Sequence, residues 1–148
     1  MGLELPLPAK PMANYVPMTR SGRIVYLSGQ GPISDGSVIY SGLVGGDLSE
    51  ESGYLAARLA ALNALAVLRA GLGSLDGVSR VLKLLIWVRS APGFHRQHIV
   101  ANGASDLLMS VFGELGAHAR SAVSAPELPF GIAVELELVI ETTIEMPL

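Results

Sequence analysis

The sequence predicts an α+β fold of two layers, a mixed β-sheet with two helices on one face, in the order β-β-α-β-α-β-β. Three observations point there. Two segments repeat apolar residues at steps of three and four and run into glycines, as helices with one buried stripe do. Runs rich in β-branched and aromatic residues lie before, between and after them. The chain has 148 residues, about the size of one hydrophobic core, so residues 1–148 are read as a single domain.

Pro6, Pro8, Pro11 and Pro17 make residues 1–17 an extended lead-in, because each ring fixes its own φ and keeps the preceding residue out of the helical region. Ile24-Val25-Tyr26-Leu27 is the first strand, and Ser28-Gly29-Gln30-Gly31-Pro32 must turn or bulge after it. Asp35-Gly36 gives a hairpin-type turn before a second strand over 37–44, which Gly45-Gly46 closes. Asp47-Leu48-Ser49-Glu50 starts a helix, with an acceptor side chain at the cap and a glutamate three residues on. Leu55, Leu59, Leu62, Ala66 and Arg69 follow at helical steps, Leu65 and Leu68 widen the stripe, and Gly71 and Gly73 stop it. The helix is expected to cover the sheet. The run from Val78 to Val88, broken only near Lys83, predicts a strand buried on both faces and parallel to a neighbour, ended by Pro92-Gly93. Val100, Ala104, Leu107, Leu108 and Val111 mark the second helix, up to Phe112-Gly113. A short strand from Ser121 to Ser124 precedes Leu128-Pro129. The last strand alternates Val134, Leu136, Leu138 and Ile140 against Glu135, Glu137 and Glu141.

Half of the residues are apolar and only 16% are charged, where about 25% is usual. Two helices cover one face of a sheet, so the surplus predicts that the other face is buried by oligomerisation. Membrane insertion is not expected, because the longest stretches free of Asp, Glu, Lys and Arg, 24–34 and 36–46, fall short of the roughly 20 residues a spanning helix needs. The acidic, Pro-rich start fits no signal or transit peptide, which makes a cytoplasmic location the expectation. With no cysteine there is no disulfide framework and no thiolate chemistry. The formal net charge of −3 and the scattered cations lack the basic stripe of a nucleic-acid binder.

Familiar chemical motifs do not account for a function. Gly71, Gly73 and Gly77 follow a helix and have the wrong spacing for a dinucleotide loop. His95 and His98 could pair on a helix, but His118 is far away in sequence and no third ligand is near, so no metal site is expected. No Gly-x-Ser-x-Gly elbow occurs, and Lys10 and Lys83 are the only lysines. What remains is Arg120 opening one strand and Glu135 within the next. By residue type alone they read as a surface cation beyond a helix and a solvated carboxylate on an alternating strand.

Three stretches change those weights. Tyr26-Leu27-Ser28-Gly29-Gln30-Gly31-Pro32, then Ala70-Gly71-Leu72 with Val78 to Val88, and finally Ala119-Arg120-Ser121-Ala122-Val123 through Leu128-Pro129 to Val134-Glu135-Leu136-Glu137 resemble the RidA (YjgF) family of reactive-intermediate deaminases. The likeness runs from Tyr15 to about Glu141, and the interval from Arg120 to Glu135 matches the family's. The resemblance implies a chorismate-mutase-like fold, a homotrimer whose sheets face a central barrel, and ligand clefts between subunits. It further implies hydrolysis of 2-imino or enamine acids to 2-keto acids and ammonia, with no metal or organic cofactor.

Carried over residue by residue, Arg120 stands at the family's essential arginine and would hold the substrate carboxylate, a planar guanidinium being suited to bidentate binding. Glu135 stands at the carboxylate that activates water, and a nearby arginine would lower its pKa unless burial opposes this. Tyr15, Ser28 and Gly29 match pocket positions, Tyr15 and Ser28 orienting the imine. Asn102 matches the family's asparagine at the start of the second helix or is an ordinary helix cap. Ala122 occupies the position where common members carry cysteine. Gly31 replaces an aliphatic residue and would open one wall, and the loop from Phe94 to Asn102 looks about four residues longer than usual. These departures suggest a divergent subgroup. The alternatives are a trimer that binds small 2-keto or amino acids without turnover, and an endoribonuclease, a label the family has long carried and which the acidic charge balance opposes.

Overall fold

The structure is a computed structural model and describes residues 2–143. Its elements are β1 (Met18–Ser21), β2 (Ile24–Leu27), β3 (Ile33–Ser34), β4 (Ser37–Val38), α1 (Glu50–Leu72), β5 (Val78–Arg89), α2 (Gln97–Val100), α3 (Asn102–Phe112), β6 (Ala119–Ala125) and β7 (Val134–Thr142). Five strands make one mixed sheet in the order β1-β2-β7-β5-β6, parallel only between β5 and β6. The helices pack on one face, which is the α+β arrangement expected.

Three strands differ from the expectation. β1 and β3 lie in residues that the sequence reading gave to no element; in β1, Gly22, at φ +57, lets the chain reverse so that Ser21 pairs with Ile24. The second strand expected over 37–44 shrinks to β4, which pairs with β3 outside the main sheet. Gly42 and Gly45 at positive φ break the extended run, yet Val44 is fully buried and its backbone bonds Arg89 and Ala91.

The cap of α1 is Ser49, whose hydroxyl accepts from the Ser52 amide at 3.0 Å, while Asp47 closes its own loop by accepting from the Leu43 amide. The buried face agrees with the expected stripe only toward the C-terminal end. Leu65, Ala66 and Leu68 are buried as expected, but the rest of the buried face is mostly Ala56, Ala57, Ala60, Ala61 and Ala64, whereas Leu55 is 43% exposed and Leu59 and Leu62 are half-buried. Alanines let backbones approach closely. A Cβ on Gly103 of α3 would come within 1.9 Å of the Tyr54 carbonyl oxygen of α1, so this helix crossing depends on glycine. Gly71 lies inside α1 and does not end it; a Cβ there would meet the Met18 sulfur of β1 at 2.2 Å. Gly73, at φ +82, is the stop. By length and composition α1 could cross a membrane, which counting charge-free stretches did not reveal, but over half of its most apolar window is buried inside the fold.

β5 is parallel to β6, as expected, but is buried on one face only. Val81, Leu84, Ile86 and Val88 join the core with Leu136, Leu138 and Ile140 of β7, confirming the alternation read there. The opposite face carries cross-strand rows that no helix covers: Glu135–Trp87–Val123, Glu137–Leu85–Ser121, and Tyr26–Val139–Lys83. Tyr26 and Val123 are exposed, and Leu85 and Trp87 partly so. The second helical segment is interrupted at Ala101, which divides α2 from α3 while Val100, Ala104, Leu107 and Leu108 remain buried.

Candidate active site

A cavity of about 520 Å³ opens between the lead-in, the loop after β2 and the N-terminal end of β7. Its shape follows from four ties. Gln30 exchanges backbone bonds of 2.8 and 2.9 Å with Leu136, which lays the loop along β7. That presses Gly29 against Glu135, and a Cβ on Gly29 would fall 2.0 Å from Oε1. Ser28 fastens the lead-in through its amide to the Pro17 carbonyl and through its hydroxyl, at 2.6 Å, to the Val16 carbonyl. Asn63, buried on α1, donates from Nδ2 to the carbonyls of Gly31 and Ile33, both at 2.8 Å.

Tyr15, Ser28, Gly29 and Glu135 thus meet around one cavity, as the sequence suggested. The Ser28 proton is committed to Val16, so its oxygen offers a ligand only acceptor capacity. Gly31 opens no wall: Ile132 reaches into the space, with Cδ1 2.8 Å from where a Cβ would lie. Burial raises the Glu135 pKa above its usual value, and the neighbouring Glu137 charge adds to this. Among the described residues no donor contacts its carboxylate. The lowering expected from Arg120 is absent, because the two do not meet within the chain.

Strand register explains the separation. Arg120 pairs with Leu84, which is buried under the helices, whereas Glu135 pairs with Trp87 on the uncovered face, and β5 lies between their strands. Arg120 therefore points among α2 and α3. Its Nη1 donates to Asn102 Oδ1 at 2.8 Å and to Ser105 Oγ at 3.1 Å, and Nη2 donates to the His98 carbonyl at 2.9 Å. Nε–H and one Nη2–H have no partner among the described residues and remain for a ligand. Asn102 makes no cap bond; Ala101 precedes α3 and the Asn102 side chain serves Arg120. Ala122 faces the same side as Arg120, opposite Ile86 and against the core, away from the Glu135 cavity. The loop from Phe94 forms the α2 turn, held by an ion pair of Arg96 with Glu50, and supplies the His98 carbonyl.

Sequence reasoning missed five residues. Lys10 and Phe130 line the cavity, the latter at φ +60, an uncommon backbone for an aromatic residue. Asn63 was visible only as a lone amide among the alanines and leucines of α1. Ser105 and His118 join the Arg120 cluster through a 3.0 Å hydrogen bond, and nothing in their spacing signals it. No three of the described His, Asp and Glu residues gather as a metal site would require.

Comparisons with known proteins agree with this architecture. The chain is 46% identical over 142 residues to protein TCP17 of Trypanosoma cruzi, covering 95% of this chain and 89% of that one. The crystal structure of Atu1372 from Agrobacterium tumefaciens is similar at a TM-score of 0.90 and 46% identity, covering 95% of this chain and 87% of that one. The YjgF gene product of E. coli superposes at a TM-score of 0.61 with 23% identity, covering 91% and 92%, a likeness of fold alone. The family model described as "YjgF/chorismate mutase-like, putative endoribonuclease" matches residues 1–141. An uncovered mixed sheet, a glycine loop pressed on a strand carboxylate, and these matches together place the chain in the YjgF/chorismate-mutase-like family.

Proposed function

We propose that the protein hydrolyses 2-imino acids and their enamine tautomers to 2-keto acids and ammonia, working as a homotrimer in which Arg120 of one copy faces the Glu135 cavity of the next. The observation that carries this reading is Glu135, a half-buried carboxylate with raised proton affinity on a cavity wall. Raised basicity suits a group that must take a proton from water near neutral pH.

Arg120 binds the substrate carboxylate through its free N–H groups. Water adds to the carbon of the C=N bond as Glu135 takes its proton, giving a carbinolamine. That proton passes to nitrogen to complete the amino group; Glu135 then takes the hydroxyl proton and delivers it to nitrogen as the C–N bond breaks and the C=O bond forms, so that imine and water yield ketone and ammonia without an electron acceptor. The Ser28 oxygen accepts from the imine N–H, and the Tyr15 phenol contacts the ligand from the lead-in. The opposite-face placement of Arg120 and Glu135 favours a site shared between copies, and Tyr26, Leu85, Trp87, Val123 and Val139, exposed or half-buried on the uncovered sheet, favour assembly there.

The test is clearance of 2-iminobutyrate generated in situ. Arg120→Ala and Glu135→Gln are each expected to slow it by about 10²- to 10⁴-fold. Clearance by Arg120→Ala at the parental rate would sink the reading. RNA cleavage that survives rigorous purification and vanishes in Glu135→Gln would favour the endoribonuclease alternative.

A further inference from the structure

The cluster behind Arg120 has a direction that the heavy-atom distances determine. His118 Nδ1 lies 2.6 Å from the Gly116 carbonyl oxygen, and a carbonyl can only accept, so Nδ1 carries the proton. In the neutral ring Nε2 is then an acceptor, and the Ser105 hydroxyl 3.0 Å away donates to it. With its proton turned toward His118, Ser105 Oγ presents lone pairs to Arg120 Nη1 at 3.1 Å. The chain runs from Arg120 N–H to Ser105, from Ser105 to His118, and from His118 to Gly116, each link polarising the next. It leaves the Arg120 Nε–H and the second Nη2–H, which none of Asn102, Ser105 and His98 takes, for an incoming anion.

We propose that Ser105 and His118 are positioning residues for Arg120: the imidazole, held as its Nδ1–H tautomer by the Gly116 carbonyl, fixes the Ser105 hydroxyl as an acceptor that orients the guanidinium for a substrate carboxylate. This rests on reading Arg120 as the carboxylate-binding group. Neither residue touches the substrate, so removing them alters how well the carboxylate is held more than how fast the bound imine reacts.

The test uses the full chain with 2-iminobutyrate for turnover and 2-oxobutyrate for binding. Ser105→Ala and His118→Phe are expected to raise KM and the 2-oxobutyrate Kd about tenfold, the scale of one hydrogen bond to a charged group, while kcat stays within about twofold. His118→Gln, whose amide oxygen can accept from Ser105, restores KM to near the parental value. Nitrogen-15 NMR of His118 in the parent reports a protonated Nδ1 and an unprotonated Nε2, and Ser105→Ala shifts the Nε2 signal. Unchanged KM and Kd in both Ser105→Ala and His118→Phe, with Arg120→Ala inactive, overturn the positioning role and leave the hydrolase reading standing. If Arg120→Ala matches the parent, the hydrolase reading falls instead, and the NMR decides the network: an Nε2–H tautomer, or a His118 spectrum indifferent to Ser105→Ala, overturns it. Thermal midpoints of the variants near the parental one exclude misfolding; should His118→Phe melt early, the Ser105→Ala and His118→Gln pair carries the same decision.

Discussion

Glu135 is costly to ionise where it stands, and that cost has a sign in stability as well as in chemistry. Its folded pKa lies above the unfolded value of about 4.5, so its contribution to folding is complete only below that value and is lost as pH rises through the folded one. Glu135→Gln is therefore expected to melt above the parent at pH 7, with the difference closing near pH 4; coincident melting curves across that range would refute the burial argument. Gly29 makes the complementary prediction. Gly29→Ala forces a Cβ into the space of the Glu135 carboxylate and should displace it, costing about 1–3 kcal/mol in urea unfolding and most of the imine clearance. An alanine variant with parental clearance would mean that the carboxylate need not lie where it does. At this scale Arg120, Glu135, Tyr15, Ser28 and Gly29 were legible through the motif resemblance. Asn63, Ser105 and His118 were not, because their partners are backbone carbonyls and residues remote in sequence, which no spacing encodes.

Helix α1 shows what periodicity conceals. Leu55, Leu59 and Leu62 form the more hydrophobic stripe, but the alanine stripe is the one that reaches the core, since only small side chains permit the approach that Gly103 completes from α3. Gly103→Ala is accordingly expected to lower stability by about 3 kcal/mol, near the upper end for overpacking, because the atom in its way is backbone. Leu55→Ala, at a position the periodic reading placed in the core, should cost under about 0.5 kcal/mol. Thermal unfolding of the two variants side by side checks the ranking, and the reverse order would restore the leucine stripe. The sequence pattern located α1, α3, β2, β5 and β7 because each has a long or strongly alternating signal. It missed β1, whose four residues gain strand geometry only by pairing with β2, and it extended β4 into residues whose glycines bend the chain toward β5.

The uncovered sheet face and the opposed orientations of Arg120 and Glu135 both favour the proposed assembly, in which a second copy completes the site. Light scattering should report a trimer, and a monomer that clears imine at the full rate would refute the shared site. Mixing gives a stricter check. Arg120→Ala and Glu135→Gln proteins, each inactive alone, should regain about a quarter of parental activity when dissociated and reassembled in equal amounts, the fraction of interfaces that join two intact groups. No recovery would place both groups of a working site in one chain. The placement of two groups on opposite sides of one sheet also sets how the activity depends on abundance. On the proposed shared site, a newly made chain is expected to leave the imine untouched until it assembles, so that the rate per chain falls on dilution and climbs faster than linearly with protein near the dissociation constant of the assembly.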